Sequence, residues 1–137
     1  LLSELKASQE LERLAARRRE TARAEVRNRV ADLHDSLVVP SLRAFAAELE
    51  RQGFQTRFEK CSATQTRLHV QVHGRRVVDA TVEVDWKLEP DARLRTCVRH
   101  QFRDEASIAL AAEDLDGAAL ARTWVALLEP LVALANR

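Results

Sequence analysis

Two cysteines, Cys61 and Cys97, are too few for a disulfide framework. That excludes the small stapled secreted folds and makes a reducing cytoplasm the simpler expectation. The chain has no Met at all, which points to a native start that was lost or trimmed, with room for a removed targeting segment. Leu1 to Lys6 carry neither the basic start nor the apolar stretch of a signal peptide. No run approaches about 18 consecutive apolar residues, so no membrane-spanning helix is expected. With three Gly and three Pro, at 53, 74 and 117 and at 40, 90 and 130, each becomes a marker of a break. Six aromatic residues leave little surface for stacking on nucleic-acid bases.

What is present is helix-forming sequence followed by strand-forming sequence, and the change falls at Gly53. The 137 residues suffice for one core. An apolar fraction of 46% with 31% charged residues suits a globular domain that has a highly charged helical portion. The net charge of +1 conceals two opposed segments. Residues 13–29 hold seven Arg and two Glu, whereas residues 104–129 hold six acids and one Arg. These segments are expected to attract each other, within one chain or between chains.

From Leu11 onward, Leu11, Ala15, Ala22, Val26, Val30, Leu33 and Leu37 fall on one side of a helical wheel. The stripe is thin and Ala-rich at first, interrupted by Arg18 and Arg19, and broadens from Val26. Residues 1–25 are therefore read as a projecting or partner-pairing arm, and 26–137 as a single α+β domain. Ser3 is placed to cap the helix, Pro40 to kink it, Ser41 to cap a second helical segment, and Gly53 to end it. One kinked helix over 3–52 is expected.

Beyond Gly53 the alternation predicts strands at Phe54–Glu59, Leu68–Val72, Val77–Trp86 and Leu94–Phe102, with a short fifth at Ser107–Ala111. One apolar face per strand implies an antiparallel meander covered on one side. Val78, Ala80, Val82, Val84 and Trp86 are expected inside, with Leu94, Val98, His100 and Phe102. Asp116 is a cap candidate, stapled by Leu115 and Leu120. Leu120, Trp124, Leu127, Leu131 and Leu134 then form an amphipathic stripe, which Pro130 should kink. The fold class is α+β: a long N-terminal helix, a four- to five-stranded antiparallel meander, and a C-terminal helix on one sheet face.

No residue set carries an established catalytic or ligand motif. On the arm, Arg13, Arg17, Arg23 and Arg27 cluster opposite the apolar stripe and could neutralise several phosphates. Glu20 and Glu25 lie among them, and a solvated face with ion pairs explains the run with less. On the sheet's outer face, Asp79, Thr81, Glu83 and Asp85 should stand beside Arg95, Cys97, Arg99 and Gln101 as a cross-strand salt-bridge ladder. His69 and His73 lie four residues apart on a strand, about 13 Å, too far to share a zinc. A pocket among Phe58, Trp86, Phe102 and Trp124 is weighed against simple core packing, and core is preferred.

The expectation is thus a non-enzymatic assembly module, self-associating as a dimer through Leu11, Ala15, Ala22 and Val26. No cofactor, metal or membrane is called for, and a protein partner is open. Nucleic-acid binding through the four arginines is the alternative, and a small-ligand or enzymatic pocket under the C-terminal helix a further one.

Overall fold

The structure, a computed structural model, describes residues 1–137. A helical stretch runs from Leu2 to Arg51: α1 (Leu2–Leu33), a wider π-turn (His34–Val38), and α2 (Val39–Arg51). Five strands come next, β1 (Gln55–Ser62), β2 (Gln65–His73), β3 (Val77–Lys87), β4 (Arg93–His100) and β5 (Arg103–Ala111). A single 3-10 turn (Ala112–Asp114) leads into α3 (Gly117–Ala135). The strands pair in chain order, every neighbour antiparallel, which is the meander that the alternation required. The fold is α+β, as expected.

The π-turn explains how one helix serves two packing directions. Val30, His34, Val38, Leu42 and Ala46 are all buried, and they repeat every four residues. In a straight α-helix each such step overshoots a full turn by about 40°, so the row would rotate off the core. A wider turn, with the Val39 amide donating to the His34 carbonyl five residues back, unwinds the helix and returns the row to the sheet. The break expected at Pro40 is absorbed there, in a turn that ends two residues before the proline, and α2 begins at once.

Several terminal devices behave as their residues dictate, and others do not. Gly53, at φ +93°, lets the Phe54 amide reach the Leu49 carbonyl at 3.0 Å and the Gly53 amide reach Glu50 at 3.0 Å. That is the double closure of a Schellman ending. Asp116 caps α3, its carboxylate accepting from the Ala119 amide at 2.7 Å, while Leu115 packs on the core beside buried Leu120. Ser3 caps nothing: α1 begins at Leu2. Ser41 is not a cap either, because the helix is continuous there, and its hydroxyl instead accepts from the Trp124 indole at 2.9 Å.

The core joins α2 and α3 to one face of the sheet. Leu68, Val70 and Val72 of β2, Val78 to Trp86 of β3, and Leu94 and Val98 of β4 meet Leu120, Trp124, Leu127 and Leu131. Trp86 and Trp124 are both buried in it. Phe102 is not: it is fully exposed at 105% relative accessibility. The reason is the hairpin, where β4 stops at His100 and both Gln101 (φ 51°) and Phe102 (φ 64°) take the left-handed conformation. A two-residue β-hairpin turn with positive φ at both positions matches strand twist, and it throws Phe102 off the sheet. The inner position expected for His100 is only half-buried, and its Nδ1–H donates to the Asp79 carbonyl at 2.9 Å. Thr96 takes a buried place between Leu94 and Val98, with its hydroxyl donating to the Ile108 carbonyl at 2.9 Å.

α3 is long and apolar enough to cross a membrane by length and composition alone, a test that a core helix packed on a sheet also passes. Here it lies against the sheet through its buried stripe, with Val125 exposed on the other side.

Candidate functional site

The arm is built from Ala, Leu, Arg and Glu, all good helix formers, which is why its backbone is helical without a supporting neighbour. In the whole of α1 only Val30 is buried. Leu1, Leu2, Leu5, Leu11 and Leu14 are exposed, Leu11 at 67%. Of the expected pairing residues, Leu11 and Ala22 are exposed and Ala15 is half-buried. Val26 differs from them: it is half-buried against the domain's core. It borders a crevice of about 460 Å³ between α1 and the β3–β4 loop, with Leu33, Leu88 and Pro90.

The four arginines of the comb do not behave alike. Arg27 bonds Glu20 at 3.0 Å and Arg23 lies 3.5 Å from Glu89 of the β3–β4 loop. Arg13 and Arg17 are in no ion pair. Both pairs that exist are more than half exposed, so they orient side chains and add little stability. No ion pair joins residues 13–29 to the acidic segment 104–129 of the same chain. The attraction expected between those segments is not used within the chain.

The outer sheet face carries the expected ladder. Asp85 stands opposite Arg95 and bonds it at 2.9 Å and 3.1 Å. Glu83 is shared by Arg67 at 3.5 Å and Arg99 at 3.2 Å, and Arg99 also bonds Asp104 at 2.9 Å. Those two acids hold the Arg99 guanidinium above its ordinary range, the Asp104 hydrogen bond most of all. His69 lies between Glu59, at 3.2 Å, and the Thr81 hydroxyl, at 3.2 Å, and its bond holds the Glu59 carboxyl below the usual range. Arg57, His69, Thr81 and Arg99 form one row across four strands, on the floor of an open groove of about 740 Å³. Of the two acids that line the groove, Asp79 accepts from Gln71 and Glu83 faces Arg67 and Arg99, so neither carboxylate is left desolvated and alone for acid–base work. Burial pushes the Cys97 thiol up, away from the thiolate a nucleophile requires. No three His, Cys, Asp or Glu side chains converge as a metal-binding group.

A buried polar chain that the sequence did not signal lies under the π-turn. His34 is fully buried, 2.7 Å from the Thr66 hydroxyl and 3.1 Å from the Trp86 indole nitrogen. The indole can only donate, so His34 Nδ1 accepts and Nε2–H points to Thr66. Burial pushes the ring's pKa below the usual histidine value, Lys60 adds to that, and Asp35 opposes it. Position 34 lies four residues after Val30, but a histidine in an Arg- and Glu-rich helix gives no hint of burial. Neutral, doubly bonded and closed to solvent, it is placed to hold α1, β2 and β3 together.

Comparison with protein-family models, curated proteins and solved structures finds no match.

Proposed function

We propose that this chain is a non-enzymatic assembly module that self-associates through the N-terminal end of α1. The observation that carries the reading is the long helix with its exposed leucines and a single buried residue. A lone helix in water is marginal even with good formers, because its stability depends on a packed face. A second copy can supply that face to Leu11, Ala15 and Ala22, with the unpaired arginines reaching acids of the other chain. Val26, which already packs on its own domain, helps to fix the direction in which the arm leaves.

The test is solution mass by light scattering at low and high salt, on the full chain and on Leu11→Asp/Ala15→Asp. These positions touch nothing in the core, unlike Val26 and Leu33, so their change reads association and not folding. The expected result is an assembly at both salts that becomes smaller in the variant. A wild-type mass of 15.5 kDa, or a variant of unchanged mass, overturns the reading.

The second reading, nucleic-acid binding, rests on the unpaired guanidinium groups of Arg13 and Arg17, with Arg23 and Arg27 as weaker contributors. It predicts binding that falls steeply with salt and with Arg13→Ala/Arg17→Ala. Absence of binding to nucleic acid at low salt removes it.

A further inference from the structure

The outer groove holds more positive charge than its ion pairs use. Arg57, Arg67 and Arg99 line it with two acids, and both acids are already engaged. Arg67 and Arg99 come from different strands and flank the Glu83 carboxylate, so the floor already accommodates one oxyanion between guanidinium groups. Arg57, opposite His69 at the β1 end of the row, is exposed and in no ion pair. The Arg67 Nε–H has no hydrogen-bond acceptor. Phe102 lines the same groove from the β4–β5 turn. It is the one fully exposed aromatic ring of the chain. Its backbone, at φ 64°, disfavours any side chain, and the exposed ring gains no packing in return. A strained position that holds an unpacked ring at a polar groove is a place where a ligand contact offsets the strain.

We propose that this groove binds a mononucleotide, with the base stacked on Phe102 and the phosphate held by Arg57 and Arg67. An aromatic ring stacks on any nucleobase, and a guanidinium group matches phosphate oxygens with paired N–H donors. Gln101, exposed beside the ring, presents an amide of the kind that pairs with an adenine edge. The Thr81 hydroxyl and Gln55 offer neutral hydrogen bonds on the same floor. Three strand spacings, about 14 Å, separate Arg57 from Arg99. A base, sugar and phosphate bridge that span once the Arg57 side chain reaches inward. One exposed ring takes one base, so the occupant is a single nucleotide and not a strand. The site is on the sheet face that α2 and α3 leave bare, and it shares no residue with the arm.

The experiment is an amide NMR titration of the full chain with adenosine monophosphate, inorganic phosphate and a short oligoadenylate. It is run on the wild type and on Arg13→Ala/Arg17→Ala, which removes the arm's unpaired guanidinium groups. Adenosine monophosphate should shift resonances around Arg57, His69, Thr81 and Arg99 in both proteins, and inorganic phosphate should bind the same row more weakly. Phe102→Gly should weaken adenosine monophosphate about five- to hundredfold, the usual loss for one stacked base, and leave inorganic phosphate unchanged. Arg57→Ala should weaken both ligands about tenfold, the loss of a hydrogen bond to a charged group. Both side chains are exposed, and unchanged amide spectra away from the groove show that the variants are folded. Shifts that are absent, that fall on α1, or that vanish with Arg13→Ala/Arg17→Ala overturn the proposal. So does a Phe102→Gly variant that keeps its preference for adenosine monophosphate over phosphate, or an Arg57→Ala variant that binds both as before. An oligoadenylate held in the groove far more tightly than adenosine monophosphate makes a strand the occupant and overturns the single nucleotide. Each readout is a ligand shift and none is a mass, so failure of the self-association reading leaves this test intact.

Discussion

Replacing His34 with leucine tests the buried chain beneath the π-turn. Leucine fills a similar volume, so the cavity contribution is small and the loss is chiefly one of hydrogen bonding. The Trp86 N–H loses its acceptor at 3.1 Å, and the Thr66 hydroxyl loses its partner at 2.7 Å. A buried polar group left unpaired costs about 1–3 kcal/mol, so the two together cost about 2–6 kcal/mol at neutral pH. Against a typical total of about 5–15 kcal/mol, the variant should still fold but with a visibly lower urea midpoint. The sign of the pH effect comes from the lowered pKa of the buried ring. Above the ordinary histidine value of 6.5 the ring is neutral in both folded and unfolded chains, and its contribution is fully present. As pH falls below that, the unfolded chain takes a proton that the folded one refuses, so stability declines until the folded pKa is passed. One proton limits the slope to about 1.4 kcal/mol per pH unit. Urea titrations of wild type and His34→Leu at about pH 7.5, 6 and 5, spanning the ordinary histidine range, measure it. The wild type should lose more stability than the variant over that interval. Glu48 and Glu59, held by hydrogen bonds below the ordinary carboxyl value of 4.5, contribute equally to both proteins and mainly at lower pH, whereas Asp35, lowered chiefly by Lys60 and in part by His34 itself, acts below its ordinary value of 3.8, outside that interval. Equal slopes, or a variant as stable as wild type at neutral pH, would refute the argument.

Two further substitutions probe how the hairpins are held. At Gly74 an added Cβ would come within 2.6 Å of the Asn136 side chain and 2.7 Å of the Ala135 carbonyl, where the β2–β3 turn receives the end of α3. Arg76 fastens the same junction, its amide donating to Ala135 at 3.0 Å and its Nε–H to Leu134 at 2.9 Å. Gly74→Ala should therefore cost about 1–3 kcal/mol by urea denaturation, the usual cost of overpacking, and no loss would mean that α3 can yield there freely. Phe102→Gly removes an exposed ring from a left-handed position that disfavours a side chain by about 1–2 kcal/mol. Its stability should stay level or rise, and a drop in thermal midpoint would show that the ring has a partner.

Much of this fold was legible because most of its residues obey one period at a time. β3 alternates through eleven residues without a conflict, and Leu115, Asp116 and Leu120 together announce the start of α3. Phe102 departs from expectation because the alternation of β4 continues past the point where the chain turns. Hydrophobic period predicts which face a residue takes, but not where the strand stops, and Gln101-Phe102 lacks the Asn, Asp or Gly that such a turn normally displays. The inner threonines escape notice because their hydroxyls find partners that only pairing creates, as Thr96 does at Ile108.

The helix shows the deeper limit. A wheel drawn at 3.6 residues per turn selects Val26, Val30, Leu33 and Leu37, of which only Val30 is fully buried, and it leaves out His34 and Val38, which are fully buried too. The wheel assumes constant winding, whereas this helix changes winding at His34, so its two halves obey one period with different phase. The histidine and the wider turn explain each other: the turn carries position 34 onto the sheet, and there Thr66 and Trp86 supply the bonds that make a buried imidazole tolerable. The arm's residues present the opposite case. Leu11 and Ala15 sit on the face that the wheel assigns them and belong to no packed core of their own chain, whereas Ala22 borders a crevice with Leu88 and Pro90 of the β3–β4 loop. A regular pattern that meets no core inside the molecule is what the proposed self-association rests on, and for that reason association is the property to measure at α1.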